Sequence, residues 1–495
     1  MKYQIMKKLI KYILILILTI ESGFSFAQNV ELPTDYLSSN FHRGRREKLR
    51  EALPKNSVAV FFANAVRNRA NDVDYIYHQD PDFYYLTGYQ EPNAVLLIFK
   101  EEQAKTNGSS FMEIIFVQPR DLRSEMWNGR RLGEEGVKAN LALQEVFTND
   151  EFKEFRLDFS KFDAVLFTDF KNDVRDNTRT QGDLFDLIAQ FKQKVNYPSE
   201  SESQLSTEPV ASNLDTHSLR SLMAGLRGIK TEEELVLLKK AIEISTVGQV
   251  EVMKAMRPGM SEAEIQGIHE FVFKKYGAEY EGYPSIVGAG NNGCILHYIE
   301  NNKPMVNSEE MILMDLGAEY HGYTADVTRT IPINGKFNPE QKAIYELVLK
   351  AQTAAMEAST AGTKWQIPGK IARDIINEGL FELKIIDSVK QKHSYYPHGL
   401  SHHIGLDVHD KGTYDIFERG MVFTVEPGIY IPYGSDCDKK WWDIAVRIED
   451  DVLIDENGMP ELLSGRAPRT VAEIEAIMAE PSVLSNFVLP DLDEK

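Results

Sequence analysis

The chain has 495 residues, 43% of them hydrophobic and 26% charged, which excludes a fibrous, a disordered and a polytopic membrane protein and leaves room for two or three domains. Lys and Arg number 55 against 75 Asp and Glu, a formal net charge of −20, so no nucleic-acid partner is expected, because such proteins carry a basic footprint. The two cysteines, Cys294 and Cys437, make neither a disulfide framework nor a cysteine zinc site.

The first segment in chain order carries Lys2, Lys7, Lys8 and Lys11, then the apolar run Tyr12–Ile20, then small residues at Ser25 and Ala27. This reads as a secretory signal peptide over residues 1–27. The run is shorter than the roughly 20 residues a membrane helix needs, although a retained N-terminal anchor is the alternative. The expectation is an exported protein, periplasmic or secreted, with no stable membrane span after cleavage.

Residues 28–205 read as an N-terminal α/β domain. The apolar runs Ser57–Ala65, Ala94–Lys100, Met112–Pro119 and Ala164–Phe170 predict buried strands, and Phe41–Leu53 predicts a helix packed on them. The Ser- and Glu-rich stretch Ser199–Ser212 cannot bury a core and reads as an exposed connection, with the domain boundary beside it. A second α/β domain is expected over 206–470. Thr231 with Glu234 and Ser261 with Glu264 predict capped helix starts, and Asn338-Pro339 predicts a helix running to about Ala358. The runs MILMDLGAEY, TADVTRTIPI, GMVFTVEPGIYI and WDIAVRIEDDVLI predict strands with hairpin character. Residues 471–495 read as a tail with one short helix.

Chemistry concentrates in the second domain. Of eleven histidines, four fall in HGLSHHIGLDVHD (His398–Asp410). Asp315 sits inside the apolar run MILMDLG, and Asp326 follows across EYHGY, which predicts a turn that folds the two carboxylates together. Glu426 closes the apolar run MVFTVE; in IAVRIEDD, Arg447 and Glu449 share one strand face while Ile444, Val446 and Ile448 share the other. Four inward carboxylates repel one another and raise one another's pKa values. One Arg is too little compensation, whereas a pair of divalent ions is enough. Four carboxylates and an imidazole make an oxygen-rich site suited to manganese, cobalt or zinc, and two such ions can activate a water and polarise a carbonyl. That is hydrolase chemistry.

These residues, with YPSIVGAGNNGCILHY (Tyr283–Tyr298), MDLGAEYHGYTADVTRT (Met314–Thr330), TVEPGIYI, VRIEDD and the N-terminal QDPDFYYLTGYQEPNAVLLI (Gln79–Ile98), resemble aminopeptidase P, the Xaa-Pro aminopeptidase family of pita-bread metallopeptidases, over about residues 35–465. The resemblance implies a creatinase/prolidase N-like domain followed by a pita-bread catalytic domain. It implies two divalent ions, manganese first and cobalt or zinc as alternatives: Asp315 on one ion, His402 and Glu426 on the other, and Asp326 and Glu449 bridging both. Glu426 also serves as general acid/base, His409 as hydrogen-bond donor to the substrate carbonyl, and His297 and His398 as walls of the substrate site. Arg447 orients the ligand carboxylates, and Tyr430 stands near the site. Trp127, in EMWNGRRLG, resembles a family tryptophan that reaches a neighbouring subunit's site, which implies a homo-oligomer, dimer or tetramer. His403 is expected to point away as packing, His321 to lie at the surface, and Cys294 to be an inert buried thiol. The expected substrates are peptides with proline in second position. A prolidase restricted to Xaa-Pro dipeptides is the alternative activity, and a peptide-binding pita-bread protein without catalysis is the alternative class.

Overall fold

The structure is a computed structural model that describes residues 35–105, 108–170, 180–198 and 213–486. The signal peptide expected over 1–27 and the connection Ser199–Ser212 lie outside the described residues.

The first helix, α1 (Ser39–Ala52), starts on the Ser38 side chain, which accepts from the Phe41 amide. The next strands are β1 (Ser57–Phe62), β2 (Val95–Ala104), β3 (Ser110–Val117), β4 (Val146–Thr148), β5 (Ala164–Phe167) and β6 (Leu214–Asp215), with the short helix α2 (Pro81–Thr87) between β1 and β2. They form one mixed sheet in the order β4-β3-β2-β1-β5-β6. The β1–β2 and β2–β3 pairs are antiparallel, and β3–β4, β1–β5 and β5–β6 are parallel. The strand β6 joins this sheet from beyond residue 205, so the first domain's sheet reaches past the Ser- and Glu-rich stretch before the chain leaves it.

Strand alternation sorts the side chains into two layers. Val58, Val60, Leu97, Phe99, Ile114 and Phe116 point to a phenylalanine-rich core with Phe152, Phe167 and Phe191. Leu96, Ile98 and Ile115 point the other way, where they pack with α1, with Tyr84 and Tyr85 of α2, and with Leu237, Leu238 and Ala241 of the following domain. The two domains therefore share one apolar core.

The second domain begins with α3 (Ser218–Arg227), α4 (Glu232–Ala255) and α5 (Glu262–Lys275). The Thr231–Glu234 capping box is formed in both directions, and Ser261 caps α5. The strands β7 (Ile286–Ala289), β8 (Met311–Leu316) and β9 (Val327–Pro332) follow as an antiparallel sheet. Helices α6 (Pro339–Ala358, capping box from Asn338 and Gln341) and α7 (Gln366–Glu382) come next. The last strands are β10 (Val422–Val425), β11 (Gly428–Ile431), β12 (Ile444–Arg447), β13 (Asp450–Ile454) and β14 (Pro460–Leu462), paired as β10-β13-β14 and β11-β12. Two of the runs read as single strands, GMVFTVEPGIYI and WDIAVRIEDDVLI, are each broken in two. The breaks fall at Glu426-Pro427 and Ile448-Glu449, where the chain changes sheet; Pro427 has no N–H to continue a ladder.

Helices α4 to α7 cover one face of these strands. Ile312, Met314 and Leu316 of β8, Ile429 and Ile431 of β11, and Ile444 and Val446 of β12 all face that helical core. The intervening Leu313, Tyr430 and Ala445 pack together on the opposite face. Among the described residues no helix is long and apolar enough to cross a membrane.

A buried ionic cluster locks the domains together. Arg227, at the end of α3, bonds Asp82 of α2 at 2.6 Å and also Asp410. Lys230 bonds Asp410 at 2.9 Å, and Lys411 pairs with Asp82. Burial raises the Asp410 pKa, but Arg227 and Lys230 outweigh it and hold the carboxyl below the usual range. Removing one partner leaves an uncompensated buried charge, so Asp82→Ala is expected to destabilise the chain by about 3–5 kcal/mol. Urea unfolding of the variant against the wild type checks this.

Candidate active site

All five expected ligand residues converge on one cleft of about 540 Å³, walled also by Tyr283, Pro284, Ile286, His297, Ile299, His398, Val408, His409 and Arg447. Asp315 points into it because it alternates with Met314 and Leu316 on β8. Asp326 stands just before β9, whose Val327 and Thr328 pair with Leu316 and Asp315. The expected turn between them is a small hairpin, Ala318–Tyr320 against Tyr323–Thr324. Its two loop residues, His321 at φ 52° and Gly322 at φ 87°, have the positive φ pair of a type I′ turn. Glu426 and Glu449 sit at the two strand breaks. Glu426 is held by its amide on the Leu400 carbonyl at 2.9 Å, and Glu449 by its amide on the Thr328 carbonyl at 3.1 Å.

The contacts fix the orientation of each donor. His402 Nδ1 lies 3.1 Å from the His403 carbonyl oxygen, a contact that takes an Nδ1–H and turns Nε2 toward Asp326 at 3.5 Å and Glu426 at 3.4 Å. Glu449 Oε2 accepts from the Thr328 hydroxyl at 2.6 Å. Arg447 donates to Asp315 at 2.5 Å, to the Tyr430 hydroxyl at 2.9 Å and to Thr328 Oγ1 at 3.2 Å. Tyr430 and His398 Nε2 are 2.9 Å apart, and His398 Nδ1 is 2.8 Å from the Gly399 carbonyl. With both nitrogens engaged, His398 offers the cleft its ring rather than a free hydrogen-bonding atom. Burial, then Arg447, pushes it down to about 4, so it is neutral at pH 7.

The carboxylates are out of balance. Burial, then repulsion from Asp315, pushes Asp326 well above the usual range. Burial with Asp326 and Asp315 does the same to Glu449, and burial with Glu449 to Glu426. Asp315 is held low instead, because Arg447 and the Tyr283 hydroxyl together outweigh its burial. One guanidinium serves one carboxylate. Donor atoms of Asp326, His402 and Glu449 lie within 4.8 Å of one another, a spacing close to that of ligands around a single divalent ion. The donor set and its charge deficit both fit metal binding.

His409 and His297 stand exposed at the cleft wall. The His409 ring sits edge-on to His402 at 4.5 Å, and burial, then His402, keeps its pKa below the ordinary value. The softer expectations divide. His403 is buried, bonds the Thr413 carbonyl at 2.9 Å and stacks on Trp365, so it is packing. Cys294 is half-buried and its thiol is pushed up to about 12 by burial, so it is unreactive. Trp127 is 81% exposed on the helix Leu122–Asn128, beside exposed Leu122 and Met126. His321 is not at the surface. It lies in the expected turn, but the N-terminal segment crosses over it: Tyr36 stacks on it at 3.7 Å, and Glu279 and Asp35 pair with its nitrogens.

Sequence reasoning missed Tyr283. Its hydroxyl lies 2.6 Å from Asp315 Oδ1 and 2.5 Å from Asp326 Oδ1, joining the two carboxylates. A phenol has one proton, so the second short contact calls for a proton on a carboxyl, in keeping with the raised Asp326 pKa. Tyr283 opens the run YPSIVGAGNNGCILHY, but nothing in its spacing marks its hydroxyl as part of the site.

Comparison with known proteins agrees with this geometry. The model of metallopeptidase family M24 matches residues 236–456, and that of the aminopeptidase P N-terminal domain matches residues 42–163. The Xaa-Pro aminopeptidase of Haemophilus influenzae is 36% identical over 448 residues, covering 88% of this chain and 96% of its own. The structure of Escherichia coli aminopeptidase P with the inhibitor Pro-Leu superposes with a TM-score of 0.77 at 32% identity, over 90% of this chain and 98% of that one. The zinc-substituted Escherichia coli aminopeptidase P in complex with product gives a TM-score of 0.76 at 32% identity, with the same coverage. The fold is that of a two-domain metallopeptidase with a pita-bread catalytic half. The chain belongs to the Xaa-Pro aminopeptidase family.

Because Glu449 is buried against Asp326 and Asp315, Glu449→Gln is expected to raise the thermal stability of the metal-free protein, whereas a typical point substitution costs about 1 kcal/mol. The wild type should gain stability on adding manganese and the variant should gain little. Thermal unfolding of both proteins with and without the ion checks the sign of each shift.

Proposed function

We propose that this enzyme hydrolyses the bond between the first residue and a following proline, releasing the N-terminal residue from peptides longer than two residues. The observation that carries the reading is the convergence of four buried carboxylates and His402 on one cleft, with a single guanidinium to balance them. Asp315, Asp326, His402, Glu426 and Glu449 would hold two divalent ions. The oxygen-rich set favours manganese, with cobalt or zinc able to substitute. When bound, such ions polarise the scissile carbonyl and lower the pKa of a water.

The chain's own residues supply the rest. Glu426, placed by its backbone bond to Leu400, takes the proton of the attacking water on its carboxylate and returns it to the departing proline nitrogen. The His409 ring makes no hydrogen bond among the described residues, and its N–H is available to the substrate carbonyl as negative charge develops there. Arg447 keeps Asp315 ionised and oriented, and through Tyr430 it holds the His398 ring against the cleft. Proline brings no N–H, so the apolar wall of Pro284, Ile286 and Val408 leaves no donor of the ring unsatisfied.

The named relatives are Xaa-Pro aminopeptidases along nearly their whole length, which favours longer peptides over dipeptides as substrates. The exposed Leu122, Met126 and Trp127 surface supports a homo-oligomer in which Trp127 reaches a neighbouring copy. The basic, apolar and small-residue pattern of residues 1–27 supports export to the periplasm or beyond.

The test is hydrolysis of an Xaa-Pro-Xaa tripeptide beside the matching Xaa-Pro dipeptide, with and without manganese. Metal-dependent release of the first residue from the tripeptide is expected, and Asp326→Asn should reduce turnover to background. Cleavage of the dipeptide alone makes the enzyme a prolidase. No cleavage of either by metal-loaded protein leaves a peptide-binding protein.

A further inference from the structure

Two buried glutamines occupy matching places in the two halves of the catalytic domain, one half being α4 with β8 and β9 and the other α6 with β10 to β13. Gln249 lies on α4 and Gln352 on α6, and neither is accessible to solvent. Gln249 Nε2 donates to the carbonyls of Met314 at 3.1 Å and Val327 at 2.8 Å. Gln352 Nε2 donates to the carbonyls of Val425 and Ile448, both at 3.1 Å, and meets Asp450 Oδ2 at 2.9 Å.

The four carbonyls are not a random sample of the backbone. Met314 precedes Asp315, Val327 follows Asp326, Val425 precedes Glu426 and Ile448 precedes Glu449. Three of the four site carboxylates, Asp315, Glu426 and Glu449, have the peptide on their N-terminal side held by one of these two amides, and Asp326 has the carbonyl of the following residue held. Each amide also joins the two carboxylate-bearing segments of its own half: β8 with the start of β9 for Gln249, the ends of β10 and β12 for Gln352. Only the NH₂ end of an amide can serve carbonyl acceptors, so the orientation of both side chains is forced. Gln249 Oε1 has no partner among the described residues, and Gln352 Oε1 has one contact, with Arg469 at 3.5 Å. An unsatisfied buried acceptor is costly, so what these amides contribute here comes from their donors rather than from their oxygens.

We propose that Gln249 and Gln352 are positioning residues for the metal carboxylates, one per half, each amide setting the spacing of the two segments whose carboxylates meet the ions. This rests on the metallopeptidase reading of the cleft. An aliphatic side chain of similar volume would fill the same space in the helix layer but release both segments from their common donor.

The experiment is calorimetric titration of manganese into metal-free full-length protein for the wild type, Gln249→Met and Gln352→Met. Outer partners of metal ligands typically contribute a factor of about 10–100 in metal affinity, so each Met variant should bind manganese at least about tenfold more weakly. The KM for the tripeptide should stay near the wild-type value at saturating manganese, and most of the lost kcat should return there. The control is Val348→Ala, buried on α6 without a polar group, which should lower thermal stability and leave manganese affinity unchanged. If either Met variant fails to fold, Gln249→Asn or Gln352→Asn keeps an amide but withdraws it by one methylene, and the same loss of affinity is expected. Folded Met variants that bind manganese within about twofold of the wild type, well below that range, would overturn the proposal. A wild type that binds no manganese would overturn the metal reading itself.

Discussion

The structure depends on the cost of placing four carboxylates in a buried cleft. Asp315, Asp326, Glu426 and Glu449 crowd together with Arg447 as the guanidinium among them, and the guanidinium is committed to Asp315. Burial and mutual repulsion push the other three carboxyls upward in the metal-free protein. A fold that keeps such groups together has a binding energy to offset their repulsion, and divalent ions are the compact source of it. Metal binding and the stability of the catalytic half are therefore one equilibrium viewed from two sides.

The rest of the architecture serves that cluster. Strand alternation gives one face of β8, β11 and β12 to the helices and the other to Asp315, Tyr430 and Arg447. The two strand breaks lie side by side, where the chain passes between the β10–β13 and β11–β12 pairs, and aim Glu426 and Glu449 into the same cleft. His409, next to Asp410, is tied to the first domain through the buried cluster of Arg227, Lys230, Asp82 and Lys411. The N-terminal domain thus braces the loop that carries the His409 side chain, and the shared apolar core makes it part of the enzyme's frame.

Much of this was legible in the sequence because local signals carry it. Asp315 in MILMDLG announces itself, since a charge inside a buried strand needs a cation, and Thr231, Ser261 and Asn338 mark helix starts that form as written. The inward face of Arg447 and Glu449 follows from period-two patterning, and EYHGY forms the turn expected of it. What escaped depends on distant partners. Tyr283 reaches Asp315 and Asp326 across 32 and 43 residues, and Arg227 reaches Asp82 and Asp410 across 145 and 183. His321 looked like an exposed turn residue because the segment that covers it, near Tyr36, lies far away in the chain. The strand breaks at Glu426 and Glu449 were read as continuous strands, since only the change of sheet reveals them.

The most direct measurement is anomalous diffraction at the manganese edge from crystals of the full chain grown with manganese. The account predicts two peaks in the cleft, enclosed by Asp315, Asp326, His402, Glu426 and Glu449. A cleft with no anomalous peak, in crystals of protein saturated with manganese, would contradict it.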